Sequence, residues 1–239
     1  MEKLLEPESF KKDALGTSYR RNKWRGYGLG RHTPKPLLIH TMEVAYPGTQ
    51  SLIDHVLWDV LRPKFSTSTH APNWLGRLSP RVASMIANPK SRARHGGLRA
   101  ETLDKLERMS DLDAMACVTV FLRSAIESKI TTSEALMLSE SLCRMAIVGA
   151  PFLYSHGVAG PLAEYFDAFL LSRQPLTVKH ELRAADYLRR AKKAAWYIRC
   201  VEGDENRLFS QAEKNDVVLE MINGSYGNRV QTAIAPVAT

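Results

Sequence analysis

Acidic residues are missing from one long stretch of this 239-residue chain: between Asp59 and Glu101 there is no Asp or Glu at all. Cysteine is scarce too. Cys117, Cys143 and Cys200 are odd in number, far apart and set among apolar residues. That excludes a disulfide framework and predicts buried thiols in a reducing interior, cytoplasmic or else nuclear. The seven histidines place no two at ligand spacing on one predicted helix, and no close Cys or His pair offers a structural zinc site. No apolar run reaches the roughly 18 residues a membrane span needs. The opening MEKLLEPESFKKD lacks the apolar centre of a secretory leader. Phosphate-loop, HExxH, GxSxG and CxxC patterns are also missing. GYGLG at 26–30 follows no strand and opens no helix, so it is no dinucleotide fingerprint. No cofactor, no metal and no enzymatic activity are expected.

What is present is the composition of a globular protein, 44% hydrophobic and 24% charged, long enough for a substantial core. Strand signals are nearly absent. Residues 1–48 are broken by Gly16, Gly26, Gly28, Gly30, Pro34, Pro36, Pro47 and Gly48, and read as an irregular basic arm. Within it, Leu37-Leu38-Ile39 reads as a strand or as a strap across the core. From residue 49 the text becomes helical. SLIDHVLWDVL at 51–61 keeps its apolar residues on one side, and 63–78 returns to loop. Ser79-Pro80 opens a helix that Asn88-Pro89 stops. A helix over 100–109 follows. Ser110 with Asp113 resembles a capping box for a helix to about 128, and Thr131–Glu134 supplies another for a helix to about 148. Gly160-Pro161 divides 152–172. The longest helix covers 176–201, with Ala184, Leu188, Ala191, Ala195 and Ile198 as its seam, and a last one over 205–222 stops at Asn223-Gly224. The expectation is an all-α fold, an irregular bundle of seven or eight helices: a 1–48 arm and one helical domain over 49–239.

Charge is segregated along the chain. The net charge is +8, and by segment it runs −2 over 1–10, +7 over 11–35, −3 over 36–59, +8 over 60–100, −5 over 101–172, +6 over 173–199 and −3 over 200–239. Gathering like charges costs self-repulsion that a polyanionic partner relieves.

Three basic constellations follow. In SYRRNKWRGYGLGRH, Arg20, Arg21, Lys23, Arg25 and Arg31 offer phosphate contacts, Trp24 and Tyr27 (with Tyr19) offer faces for base stacking, and the glycines admit close approach. In KSRARHGGLR, Lys90, Arg92, Arg94 and Arg99 crowd a loop between two helices. On the longest helix, Lys179, Arg183, Arg190 and Lys193 stay within about 80° of one another at 100° per residue. Tyr197 lies in that sector, and Arg189 and Lys192 lie on one flank. About eight phosphate contacts would give a log–log salt slope near −7 on duplex DNA or −6 on a single strand.

The sequence therefore points to a non-enzymatic nucleic-acid-binding subunit of a larger nucleoprotein assembly. It would bind RNA or DNA, preferably single-stranded, beside other protein subunits. The alternative is a structural or matrix-type protein whose basic faces meet acidic lipid or acidic protein. That alternative calls for exposed apolar residues beside the cations.

Overall fold

A computed structural model describes residues 10–12, 18–20, 35–87, 97–128, 132–155, 158–171 and 183–235. The chain divides into two units, Met1–His55 and Val56–Thr239.

In the first unit, β1 (Phe10–Lys12) pairs antiparallel with β2 (Ser18–Arg20), Lys11 facing Tyr19 across the ladder. Helix α1 (Pro36–Ala45) occupies the stretch expected to be irregular, including Leu37-Leu38-Ile39. The reason is local: Pro36 sits at the first helical position, where its fixed φ favours a helix start and its missing N–H costs nothing. A short α2 (Thr49–Ile53) follows a tight corner in which Gly48 takes φ 96°. The Glu43 carboxylate closes that corner, accepting from the Gly48 N–H at 2.9 Å and the Gln50 N–H at 2.7 Å. Those bonds hold its pKa below the usual carboxylate value.

In the second unit the regular elements of the described residues are helices. Helix α3 (Val56–Val60) buries Val56, Leu57 and Val60, so the single helix expected over 51–61 is interrupted at Asp54-His55. Helix α4 (Thr67–Gly76) lies where loop was expected. Its helical state is imposed from a distance: Glu127 accepts from the Thr67 N–H at 2.8 Å and the Thr67 hydroxyl at 2.7 Å, capping the helix from sixty residues away. Helix α5 (Pro80–Ala87) starts and stops as the sequence indicates. Helix α6 (Ala100–Met109) ends at Ser110 in the left-handed region, φ 42°. Ser110 therefore ends one helix rather than opening the next; the cap of α7 (Leu112–Glu127) is Asp111, which accepts from the Ala114 N–H at 2.8 Å.

Helix α7 is the centre of the unit, with Ala114 to Arg123 buried without interruption. Helix α8 (Thr132–Val148) packs along it, and α9 (Ala150–Ser155) turns off at Gly149. A Cβ at Gly149 would lie 2.9 Å from the Ser110 carbonyl oxygen, so the close approach there requires glycine. Helix α10 (Ala159–Phe166) runs into a π-helical turn, Asp167–Leu171. Helix α11 (Ala184–Asp204), α12 (Gln211–Ile222) and α13 (Asn228–Ile234) complete the order. A full capping box of Ser210 and Glu213 opens α12, and Asn223-Gly224 closes it. The all-α expectation holds for this unit, in helices shorter and more numerous than the seven or eight expected. Cys117 and Cys143 are buried as expected, and Cys200 is exposed. Among the described residues, no helix is long and apolar enough to cross a membrane.

Candidate nucleic-acid interface

Helix α11 carries the most informative surface. Its buried line is Tyr187, Ala191, Ala194 and Ile198, at steps of 4, 3 and 4; Ala191 and Ile198 belong to the seam read from the sequence, whereas Leu188 and Ala195 of that seam are only half-buried. The whole helix is thus rotated by part of a turn relative to the expectation. Tyr187 causes the shift. Its ring is buried and its hydroxyl donates to the Ala146 carbonyl at 2.9 Å, so a side chain that looks polar belongs to the core. Burial pushes its phenol pKa upward.

The rotation takes Arg190 out of the expected basic stripe. Arg190 is only 8% exposed, and its guanidinium donates to the Ala235 carbonyl at the end of α13. Burial first, and then neighbouring Arg189, lower its pKa, while Asp186 opposes them. It is a structural arginine, not a phosphate contact. Arg183 is exposed at the N-cap position of α11, Lys193 is exposed, and Tyr197 is half-buried. Lys179 lies outside the described residues.

In exchange, a different set gathers on the solvent face. Arg189, Lys192, Lys193, Trp196 and Arg199 are all exposed, and 100° per residue places them within about 120° of one another. Trp196 stands near the middle, 56% exposed, with its ring edge-on to Tyr197 at 4.9 Å between centroids. Lys192 reaches over the ring of Tyr154 on α9, its Nζ 5.8 Å from the centroid. Arg189 is shared with Asp186 at 2.8 Å in an exposed pair, which costs little to open. Arg199 feels the carboxylate of Glu202. Among the described residues, no carboxylate lies within ion-pair distance of Lys192 or Lys193.

Elsewhere, several cations are already committed. Arg77 pairs with Asp59 at 2.6 Å. Arg123, 7% exposed, donates to the carbonyls of Val60, Arg62 and Phe65 and to Glu127, and lies over the Trp74 ring at 5.5 Å. Arg144 bonds Glu107 at 2.8 Å and Asn223 at 2.9 Å. Arg207 is held between Glu205 and Glu213. Glu202 accepts from the Phe209 N–H and meets Lys214, bracing the turn before α12.

Of the remaining expected contacts, Arg99 is exposed immediately before α6, while Lys90, Arg92 and Arg94 lie outside the described residues. Arg20 closes β2, and Arg21, Lys23, Trp24, Arg25, Tyr27 and Arg31 also lie outside them. Trp196 and Arg199 are the residues that sequence reasoning missed. The signal existed: had Tyr187 been counted as apolar, the seam would have rotated and Trp196 would have faced solvent. Among the described residues, no group of three or more His, Cys, Asp or Glu side chains is arranged to hold a metal ion. No family model, curated protein or solved structure matches the chain.

Proposed function

We propose that the protein is a non-enzymatic nucleic-acid-binding subunit of a larger nucleoprotein assembly, with phosphate groups crossing the exposed face of α11. One observation carries the reading: Arg189, Lys192, Lys193 and Arg199 surround Trp196 on that face, whereas the cations of Arg77, Arg123, Arg144 and Arg207 are occupied by carboxylates or carbonyls. Four exposed cations thus gather around one exposed aromatic ring, with only Arg189 in an ion pair there among the described residues, and a chain of phosphates is the partner that uses such a face most fully. The basic arm and the 90–99 loop add further contacts in this reading.

A filter-binding titration with single-stranded and duplex oligonucleotides at two salt concentrations tests it. Four contacts from α11 alone give a log–log slope of about −3, and participation of the arm makes it steeper. Binding that ignores salt, or no binding at all, defeats the proposal.

A specific observation also keeps the acidic-lipid reading in view. Phe152 and Tyr154, each 41% exposed, stand on α9, which packs against α11. Aromatic and basic side chains together suit a membrane interface. The face of α11 nevertheless argues against it. Its exposed positions include Ala185, Asp186, Cys200 and Gly203 but no Leu, Ile or Val, whereas an interfacial helix needs a broad apolar side.

A further inference from the structure

We infer that Trp196 is a stacking platform for an unpaired base, which makes the α11 face selective for single-stranded over duplex nucleic acid. The inference rests on the nucleic-acid reading above and adds to it the form of the strand.

Trp196 is the largest apolar side chain on a face whose charged residues between 189 and 199 are all cations. The indole is 56% open to water and lies outside the core, which this helix meets through Tyr187, Ala191, Ala194 and Ile198 on its opposite side. The edge-on contact with Tyr197 steadies the indole while leaving a ring face available. Lys192 and Lys193 precede it by one helical turn, and Arg199 follows by nearly one. One turn of helix rises about 5.4 Å, so cations stand on both sides of the ring along the helix axis. A strand lying along α11 can then set a base on Trp196 while its flanking phosphates meet Lys192 or Lys193 on one side and Arg199 on the other. Every base has a π-face, so this contact carries no sequence preference. A duplex keeps its bases stacked on one another and offers the indole only backbone. Phosphate contacts alone would serve both forms equally; the tryptophan distinguishes them.

The test uses the full chain with three ligands: a fluorescein-labelled 20-nucleotide oligothymidylate, a blunt duplex of the same length, and vesicles containing phosphatidylserine. Trp196→Ala should weaken oligothymidylate binding by about tenfold, the loss expected for one stacked base, and leave duplex binding unchanged. Trp196→Phe should recover most of the loss, because phenylalanine also stacks. Lys192→Gln with Lys193→Gln should weaken both nucleic acids and reduce the salt slope by one to two. Unchanged melting of each variant shows that the fold is intact. If the wild-type chain binds nucleic acid but Trp196→Ala binds oligothymidylate normally, or loses both ligands equally, the stacking inference falls and the broader reading stands. If the wild type captures vesicles and neither nucleic acid, both fall.

Discussion

Helices α7 and α11 each contain arginine deep in the molecule, but they spend their polar groups differently. Helix α7 is buried along nearly its whole length, and its one internal cation, Arg123, is consumed by the carbonyls of Val60, Arg62 and Phe65 and by Glu127. Its role is to hold the turn after α3 and the start of α4 in place. Helix α11 is divided lengthwise. Arg190 on the inner side fastens α13 through the Ala235 carbonyl, and the cations of the outer side stay exposed, with Arg189 alone ion-paired among the described residues, to Asp186. The contrast teaches that a count of basic residues along a sequence measures two unlike things. A guanidinium with five donors is the best available ligand for a cluster of orphaned carbonyl oxygens, and it is equally suited to phosphate. Burial decides which.

The comparison can be broken at its strongest point first. Arg123→Met should destabilise the fold by about 3 kcal/mol, because three carbonyls and Glu127 lose their donor together. Chemical denaturation monitored by far-UV circular dichroism measures it, and a change under 1 kcal/mol would mean that the α3–α4 turn has other support. Arg190→Met should cost less, about 1–2 kcal/mol, with faster amide exchange concentrated in α13 and oligonucleotide affinity unchanged. Loss of binding without loss of protection would return Arg190 to the interface.

The third effect is a pH dependence. Partial burial on its own would raise the Glu127 pKa, but bonds from the Thr67 hydroxyl and N–H, together with Arg123, outweigh it and hold the pKa below the ordinary 4.5. A depressed folded-state value stabilises the protein above that pH, and the contribution is lost as acid is added and pH falls through the folded value. Glu127→Gln should therefore be less stable than wild type at pH 7, and the gap should shrink as pH is lowered from 4.5. A gap that is constant with pH would show that the carboxylate charge is immaterial to the cap.

Features governed by neighbouring residues were legible in the sequence. Ser79-Pro80 and Asn223-Gly224 mark the ends of α5 and α12 because capping chemistry acts over three or four residues. Helix α4 was not legible: Pro72 and a run of Ser and Thr argue for loop, and the carboxylate that caps it belongs to α7. The register of α11 was misread for a related reason. Tyr187 is half apolar ring and half hydroxyl, and whether such a residue turns inward depends on an acceptor such as the Ala146 carbonyl being in reach. Cys200 followed the same error, exposed once the helix is rotated correctly. The candidate site was legible in its chemistry, basic residues interleaved with aromatics, and not in its membership. Arg190 left it; Trp196 and Arg199 entered.

The lengthwise division of α11 also bears on how this molecule tolerates change. Residues at 189, 192, 193, 196 and 199 can be replaced without disturbing those at 187, 191, 194 and 198, since the helix backbone insulates one row from the other. A designer could therefore graft another recognition row there while leaving the hydrophobic interior as it is.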